Sequence, residues 1–358
     1  MQFTVNVNKF RNHVAMVTPV IGKTFLPILN NILVNAENGK VSLFATNTTQ
    51  SVFTEFECNC TNGNCTVPAR KIFAILDSLD QNDDVTFEAD DNALVKMVTP
   101  SGSFTLLGSP AKDYPESPRH ITSAQTTLDS EVVNAMVALC KNAVVTDGPR
   151  PQLAGMFLHF DNDATHAIAT DGKRMAVYSL ETDNAETLSP VIVPTSALPY
   201  ITKLVGDVQF DIQDSMLVAK GDNMTIATKL VPGQFPNWKN VIPRSFKESI
   251  EVNGELLSKA VKLVSTVTEV NQSINLEFSA DRLTLSANSS SIGSASQQIP
   301  LERGVADPID ININPVFLLN AINGNKESLF IKLNDSLSPL MVECGENVFT
   351  IIMPLRRK

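Results

Sequence analysis

The residues best suited to chemistry in this chain are three cysteines that crowd into one short segment, Cys58, Cys60 and Cys65. Thiolates bind zinc, but structural zinc sites use four ligands, and their cysteines commonly come in pairs spaced Cys-x-x-Cys. The segment CNCTNGNC has neither such pairs nor a fourth ligand. We therefore predict a polar hairpin loop with free thiols, and a metal site is the less favoured alternative. The remaining two cysteines, Cys140 and Cys344, lie in apolar stretches and are predicted to be small core residues.

The histidines and acidic residues give no sign of a catalytic or calcium-binding site. None of the four histidines belongs to an HExxH pattern, and no GxSxG or P-loop motif occurs in the sequence. The histidines are His13, His120, His159 and His166. The acidic stretch from Asp80 to Asp91 lacks the glycine and the terminal glutamate of an EF-hand loop, so a solvated loop is favoured there. We therefore predict no catalytic residue, no metal and no cofactor, and a binding protein rather than an enzyme.

The composition is that of an ordinary globular protein. Hydrophobic residues make up 43% and charged residues 18% of the 358 residues, a length that allows two or three domains. No apolar run reaches the roughly 18 residues that a membrane span needs. The N-terminus alternates apolar and polar residues, unlike the continuous apolar core of a signal peptide. We therefore expect a soluble, cytoplasmic protein without a membrane partner.

The elements that would position a site follow an internal threefold repeat. An alternating strand, a short polar turn and an amphipathic helix recur three times, with starts 125 and then 122 residues apart. These units begin at Phe3, Leu128 and Ile250. A second helix with an apolar face follows 64, 65 and 63 residues after each start, and hairpin-like alternating runs lie between the two helices. The second helices begin near Val67, Val193 and Ile313.

Polar stretches near Thr122 and Arg244 interrupt this periodicity and define the predicted domain boundaries. The domains are then residues 1–121, 122–243 and 244–358, each near the usual size of a domain. In each domain, two helices must bury their apolar faces against one side of antiparallel sheets. The predicted fold class is therefore α+β, with three similar domains in series.

The formal net charge of −10, from 28 basic and 38 acidic residues, is unevenly distributed over these elements. The predicted helical segments are residues 6–20, 68–79, 129–144, 195–206, 254–267 and 314–326, and they hold nine basic residues against four acidic ones. The basic residues are Lys9, Arg11, Arg70, Lys71, Lys141, Lys203, Lys259, Lys262 and Lys326. Helices with a net charge of +5, in a chain whose net charge is −10, could contact the phosphate backbone of nucleic acid without recognising its bases. The alternative is that these residues are simply good helix formers on solvated faces.

Several motifs resemble those of one family, the beta subunit of bacterial DNA polymerase III, also known as the beta sliding clamp. The motifs are LPILNNILV from Leu26, VPARKIFAILDSL from Val67, ATDGKRMAVYSL from Ala169, VIVP from Val191, KLVPGQFPNW from Lys229 and IIMPL from Ile351. The similarity extends from the first strand to the last few residues and keeps the threefold spacing. It implies three tandem copies of a DNA-clamp domain, with antiparallel sheets outside and two helices per domain inside. Two chains would then associate head to tail as a homodimer and close a six-domain ring.

The resemblance also implies the function and the partners. Such a ring is a processivity factor for DNA replication, a non-catalytic accessory subunit that encircles double-stranded DNA without sequence preference. The implied partners are the DNA polymerase III alpha subunit, the clamp-loader complex and other proteins that carry a clamp-binding motif. The runner-up interpretation is a divergent paralogue that binds partner peptides but no longer serves the main replicase.

The family's partner-peptide pocket lies between the second and third domains, and its positions can be matched in this sequence. They are Leu153, Thr170, Gly172, Lys173, Arg174, Met175, Pro236, Asn240, Val241, Asn314, Phe317, Leu337, Pro339, Ile351, Met353, Pro354, Leu355 and Arg356. Apolar walls with a few polar anchors suit the hydrophobic side chains of a peptide.

Family positions for DNA contact and dimerisation can be matched as well. DNA contact is predicted at Lys23 and Arg150, and the basic helix residues extend the prediction to Lys9, Arg11, Arg70, Lys71, Lys141, Lys203, Lys259 and Lys262. The predicted dimer interface places Phe104 and Leu106 against Ser265 and Thr266.

The chain departs from the family pattern at two of these surfaces. Thr195 and Ser196 stand where a basic pair is common, and the loop DGPRPQ before Leu153 lacks an aromatic pair, so DNA contact is thinner than usual. Ser265 and Thr266 stand where bulkier apolar residues are common. Each lost apolar side chain could cost on the order of 1 to 3 kcal/mol of association, so we expect this ring to open more readily.

Overall fold

The computed structural model describes residues 1–22, 26–122, 124, 126–145, 148–182, 189–269 and 273–356. Every strand pairing among them is antiparallel, as predicted for an α+β chain. In this part of the chain, no helix is both long enough and apolar enough to cross a membrane.

The first predicted domain begins with the expected strand and helix. Helix α1 spans Val7–Val17 and helix α2 spans Ala69–Ser78. The side chain of Asn6 accepts a hydrogen bond from the backbone N–H of Lys9 at 3.3 Å, which caps the first turn of α1. The strands are β1 Gln2–Asn6, β2 Asn31–Glu37, β3 Lys40–Thr46, β4 Gln50–Glu57, β5 Cys60–Thr61, β6 Gly63–Pro68, β7 Asp84–Ala89, β8 Leu94–Thr99 and β9 Gly102–Leu107.

The second predicted domain has one long helix and one very short one. Helix α3 spans Ser130–Cys140, whereas α4 spans only Leu198–Ile201. The predicted helix over 195–206 is therefore too long, because the chain enters α4 through a 3-10 turn and leaves it through a bond from the N–H of Lys203 to the carbonyl of Tyr200. The strands are β10 Thr126–Asp129, β11 Gly155–Phe160, β12 Ala164–Thr170, β13 Arg174–Glu181, β14 Val191–Pro194, β15 Asp207–Gln213, β16 Met216–Lys220 and β17 Thr225–Lys229.

The third predicted domain repeats the asparagine cap that begins the first helix of the first domain. Helix α5 spans Gly254–Ser265 and helix α6 spans Pro315–Ile322. Asn253 caps α5 by accepting from the N–H of Leu256 at 2.9 Å. The strands are β18 Glu248–Asn253, β19 Ile274–Phe278, β20 Arg282–Ser289, β21 Gly293–Pro300, β22 Ile309–Ile313, β23 Ser328–Leu333, β24 Leu340–Gly345 and β25 Val348–Ile352.

The chain folds into two compact units that do not follow the sequence repeat. One unit comprises Met1–Val133 and Pro199–Leu230. It contains a five-stranded sheet of order β5-β1-β7-β8-β9 and an eight-stranded sheet of order β10-β15-β16-β17-β4-β3-β2-β6. Helices α1 and α2 pack on each other, and α1 also contacts β3 and β4. Pairing of β17 with β4 joins strands of the first and second predicted domains in one sheet.

The other unit comprises Asn134–Leu198 and Val231–Lys358. Its eight-stranded sheet has the order β14-β11-β12-β13-β25-β24-β23-β18, and its four-stranded sheet has the order β21-β20-β19-β22. Helix α5 packs on α6 and on strands β20 and β21. Because β13 pairs with β25, this sheet also crosses from the second predicted domain to the third. The boundaries at residues 121 and 243 stay a prediction.

Candidate functional site

Strand pairing brings together two of the motifs that the sequence places 180 residues apart. In the register of β13 and β25, Met175 lies opposite Ile351, and Ile351 also lies opposite Met341 on β24. Just beyond the strand ends, the N–H of Met353 donates to the carbonyl oxygen of Lys173 at 2.9 Å. The segment 170–175 and the C-terminal segment 351–355 therefore form one continuous surface.

A tight turn between β12 and β13 presents this surface. Gly172 has a φ of +84°, a conformation that favours glycine. The hydroxyl of Thr170 donates to the carbonyl of Arg174 at 2.7 Å and accepts from the N–H of Gly172 at 3.1 Å. A carboxylate oxygen of Asp171 accepts from the N–H of Lys173 at 2.8 Å. The turn is thus closed by its own side chains, which leaves Arg174 to face the C-terminal strand.

Beneath the turn lies a cluster of buried apolar residues, which we call the apolar floor. Three of the predicted pocket residues, Leu153, Met175 and Ile351, belong to it and are almost fully buried. The floor also contains residues that the sequence interpretation did not assign to the pocket. These are Phe157, Ile168, Val177, Ile192, Phe235, Trp238 and Met341. The rings of Phe157 and Phe235 stack with centroids 4.5 Å apart, so the floor is a packed core rather than an open cleft.

Arg174 is the polar residue built most firmly into this region. Its side chain is only 10% exposed, and its Nε lies 3.1 Å from a carboxylate oxygen of Asp171. The guanidinium carbon stands 4.3 Å from the ring centroid of Phe317, and Nη2 donates to the carbonyl oxygen of Asn142. Burial lowers the pKa of the guanidinium, and Asp171 opposes that shift. Nη1 is buried and has no hydrogen-bond partner among the described residues.

An apolar rim surrounds Arg174 and the floor. Leu337 is 71% exposed, and Met353 is 40% exposed. Val241 is also exposed, and Leu355 is fixed by a hydrogen bond from its N–H to the carbonyl of Asn312 at 2.7 Å. Exposed apolar side chains around a buried, unsatisfied donor suit an extended peptide that brings both hydrophobic side chains and carbonyl groups.

The remaining predicted pocket residues are less firmly connected to this site. Asn314 caps α6, because its side chain accepts from the N–H of Val316 at 2.9 Å. The other members lie on exposed or half-buried positions of the same unit. They are Pro236, Asn240, Pro339, Pro354 and Arg356.

The predicted basic helix surface is smaller in the structure than in the sequence interpretation. The described helices contain six basic residues and three acidic ones, a net charge of +3, so the predicted +5 is wrong. Lys141, Lys203 and Lys326 lie beyond helix ends, because α3, α4 and α6 are shorter than predicted. Arg150 lies in the loop before β11, and Lys23 lies outside the described residues.

Some of the helix cations are already paired. Arg11 lies 2.6 Å from Asp77 across α1 and α2, and Lys259 lies 2.6 Å from Glu255 along α5. Lys9 donates to the carbonyl oxygen of Glu57 at 3.0 Å.

Three helix cations have neither an ion-pair partner nor a side-chain hydrogen bond in the described part of the chain, and all three are exposed. They are Arg70, Lys71 and Lys262. These are the cations most available to an external anion.

The predicted dimer residues lie on an edge strand and at a helix end. Strand β9 is the last strand of the five-stranded sheet, and it carries Phe104, which is exposed, and Leu106, which is half-buried. The sequence interpretation missed Leu107 on the same strand, which is 79% exposed. At the end of α5, the hydroxyls of Ser265 and Thr266 donate to the carbonyls of Val261 and Leu263, so neither hydroxyl needs an outside partner.

The clustered cysteines are free thiols. Cys58 and Cys60 are half-buried, whereas Cys65 is buried and burial raises its pKa to about 12. The thiols of Cys58 and Cys60 lie near the backbone carbonyls of Thr4 and Lys40. Within the described ranges, no group of three or more His, Cys, Asp or Glu side chains is arranged to hold a metal ion.

Comparisons with known proteins match nearly the whole chain to one family. Three family models match in succession: the DNA polymerase III beta subunit N-terminal domain over residues 1–118, its central domain over 127–237 and its C-terminal domain over 239–356. Among curated relatives, the beta sliding clamp of Chlamydia muridarum is 26% identical, with 99% of each chain covered. The beta sliding clamp of Escherichia coli K12 is 25% identical, with 99% of this chain and 100% of that protein covered.

Solved structures show the same fold. The DNA polymerase III subunit beta of Pseudomonas aeruginosa superposes with a TM-score of 0.93 at 23% identity, and all of both chains is covered. The sliding clamp of Bartonella birtlesii, solved with griselimycin bound, superposes with a TM-score of 0.90 at 26% identity and equally complete coverage.

Proposed function

We propose that this chain, which belongs to the DNA polymerase III beta subunit family, is a sliding clamp that gives a DNA polymerase its processivity. The family is that of a non-catalytic subunit, so the predictions of this family and of a protein that is not an enzyme are confirmed. The observation that carries the function is the succession of three beta-subunit domains along one chain, from residue 1 to residue 356.

A clamp works by topology rather than by tight binding. A ring around duplex DNA cannot leave sideways, so weak, salt-sensitive phosphate contacts are sufficient and permit sliding. The exposed cations Arg70, Lys71 and Lys262 supply contacts of this kind without base recognition. A polymerase held by such a ring experiences a high effective concentration of primer ends.

The functional test is primer extension on circular single-stranded DNA with a replicative polymerase and its clamp loader. The expected result is long products after a single binding event, and their loss when the protein is omitted. Short, distributive products together with normal peptide binding would instead favour the paralogue that serves another partner. Failure of both assays would contradict the clamp proposal.

The proposed homodimer is supported by two exposed sheet edges. Strand β9 ends the five-stranded sheet and is exposed at nearly every residue, and strand β21 ends the four-stranded sheet and is also largely exposed. Long exposed edges invite pairing with another chain and are rarely left open in soluble proteins. Pairing of β9 in one copy with β21 in a second copy would bury both edges, and repeating the contact would close a head-to-tail dimer.

Substitution of Leu107 by Asp tests this pairing. An aspartate at the end of β9 would bury a charge in the contact, so we expect the dimer to dissociate at least tenfold more readily. Sedimentation equilibrium would show this as a shift from the mass of two chains toward that of one. Val205→Asp is the matched control, since Val205 is also an exposed apolar residue but lies on no edge strand. A wild-type protein that is monomeric at every concentration would overturn the ring.

The proposed partner site is the surface formed by Arg174, the apolar floor and the rim of Leu337 and Met353. Its partners are short peptide segments of the polymerase alpha subunit, the clamp loader and other clamp-binding proteins. The buried Nη1 of Arg174 has a donor to offer, and a peptide carbonyl is the matching acceptor. Griselimycin is the ligand held by the Bartonella clamp, and competition between griselimycin and a peptide would test whether it binds this chain at the same site. A blocked fluorescent pentapeptide with two leucines and a phenylalanine, here called the probe peptide, would report its occupancy by anisotropy.

A further inference from the structure

A cavity of about 570 Å³ lies in the third predicted domain, beside the proposed partner site. It opens between the start of β18, the segment that leads into β22, and the loop after β23. Both β18 and β22 are the last strands of their sheets, so the cavity lies where two sheet edges face each other. This cavity has no role in the function derived above.

The cavity is continuous with the partner site through two shared residues. Leu337 and Leu355 line the cavity and also belong to the predicted peptide pocket. The C-terminal segment connects the two regions through two backbone hydrogen bonds. The N–H of Met353 donates to the carbonyl of Lys173 in the turn, and the N–H of Leu355 donates to the carbonyl of Asn312 on β22. A peptide that covers Leu337 and Leu355 would therefore reach the mouth of the cavity with its next residues.

The lining of the cavity is strongly acidic. Its ionisable residues are Glu248, Asp307, Asp310, Asp335 and a single base, Lys247, which gives a net charge of −3. The carboxylate of Asp335 accepts from the N–H groups of Leu337 and Ser338 at 2.8 and 2.7 Å, and these bonds hold its pKa below the usual range. Asp335 therefore keeps its negative charge at neutral pH.

We infer that this cavity receives a lysine or arginine side chain from the partner chain, next to the hydrophobic residues bound at the apolar rim. This assignment rests on the proposed partner site and adds a specificity determinant to it. The choice of a cationic occupant follows from charge complementarity and from continuity with the rim, and a long aliphatic stem matches the apolar contribution of Ile309, Leu337 and Leu355 to the walls.

The experiment compares the probe peptide with extended versions of it. Two residues, either Lys-Lys or Ala-Ala, are added at the amino end or at the carboxyl end, and all termini are blocked. We expect Lys-Lys at one of the two ends to bind about three- to tenfold more tightly than Ala-Ala at low salt, and the advantage to shrink at about 0.5 M salt.

Paired variants assign the effect to the cavity. Glu248→Gln with Asp307→Asn should abolish the lysine advantage but leave the affinity for the unextended probe peptide unchanged. Asp281→Asn with Glu302→Gln removes the same charge from two exposed residues that do not line the cavity, and it should preserve the advantage. An equal advantage in both double variants would mean general attraction to an acidic protein and would overturn the inference.

The outcomes separate this inference from the proposed function. If the unextended probe peptide does not bind, the partner site itself is wrong. If it binds but neither lysine extension binds better than alanine, only the cavity assignment fails. If Lys-Lys binds better than Ala-Ala only after residues 356–358 are removed, the chain's own basic C-terminal residues occupy the cavity. That result would also overturn the inference that a partner residue binds there.

Discussion

The apolar floor beneath Arg174 draws its residues from distant parts of the chain, whereas the exposed cations Arg70, Lys71 and Lys262 lie on two short helices. In the floor, Leu153, Trp238 and Ile351 meet only because strands and loops from two predicted domains pack together. On the helices, each cation is placed by local geometry alone. The difference teaches that the proposed peptide site depends on cooperative packing, whereas the proposed surface for sliding should tolerate the loss of any one charge.

The largest effect that would sharpen this comparison is expected from Trp238→Ala. Trp238 is 8% exposed and packs in the floor, so loss of the indole should lower the free energy of unfolding by about 3–5 kcal/mol. Urea denaturation followed by circular dichroism would measure it. Lys239→Ala, the exposed neighbour, should change stability by no more than about 0.5 kcal/mol. Similar effects of the two substitutions would contradict the view of the floor as a packed core.

The next largest effect is expected from substitution of Arg174. Arg174→Lys keeps the charge but loses the planar group that stacks on Phe317 and contacts Asp171 and the carbonyl oxygen of Asn142, so affinity for the probe peptide should fall about tenfold. Arg174→Ala should weaken binding further. Arg303→Ala is the control, because Arg303 is an exposed cation that is not among the predicted pocket residues. Equal affinities of the Arg174 and Arg303 variants in anisotropy titrations would remove Arg174 from the site.

A smaller effect should follow from the double substitution Arg70→Ala and Lys71→Ala on α2. If both cations contact phosphates, the slope of log affinity against log salt should decrease in magnitude by about 2, and affinity for a short duplex should drop a few-fold at low salt. Lys96→Ala with Lys112→Ala removes two exposed cations, one from strand β8 and one from a short 3-10 helix, and should leave the slope nearly unchanged. Identical slopes for the two double variants would mean that the helix surface has no special role.

The smallest effect is a pH dependence of stability from His166, whose ring centroid lies 5.3 Å from that of Trp238. Burial lowers the pKa of His166, although Asp161 opposes the shift. As the pH falls through about 6.5, the ordinary pKa of histidine, His166 becomes protonated in the unfolded chain but stays neutral in the folded chain. The free energy of unfolding therefore decreases. This loss levels off below the folded pKa.

Urea midpoints between pH 7.5 and 5.5 would measure this dependence. His166→Gln should flatten the curve, and a residual slope is expected because burial also lowers the pKa of His13, with Lys9 adding to the shift. His120→Gln, at an exposed position, should leave the curve as in the wild type. A wild-type curve in which stability rises toward pH 5.5 would contradict the sign.

Much of the secondary structure and one turn of the site could be predicted from local patterns. Helices α1 and α5 begin beside asparagine caps, as the strand–turn–helix repeat suggests, and the turn at Gly172 follows from its Asp-Gly sequence. Helix α4 could not be predicted correctly, because the apolar pattern after Val193 continues through 3-10 turns that bury the same side chains without a regular helix. Lys141, Lys203 and Lys326 were predicted to lie on helices but lie beyond the helix ends. Periodicity indicates which face of a helix is apolar, but it does not indicate where the helical hydrogen bonds end.

The amino-acid sequence by itself determined the threefold repeat, the α+β class and the family, because each of these depends on local periodicity or on short motifs. Only the tertiary structure decided that β13 lies beside β25, that Phe235, Trp238 and Met341 complete the apolar floor, and that Nη1 of Arg174 finds no partner among the residues the structure describes. The physical reason is that burial and hydrogen-bond satisfaction are properties of contacts between distant segments. No local pattern records which buried donor will remain unpaired once those segments have packed.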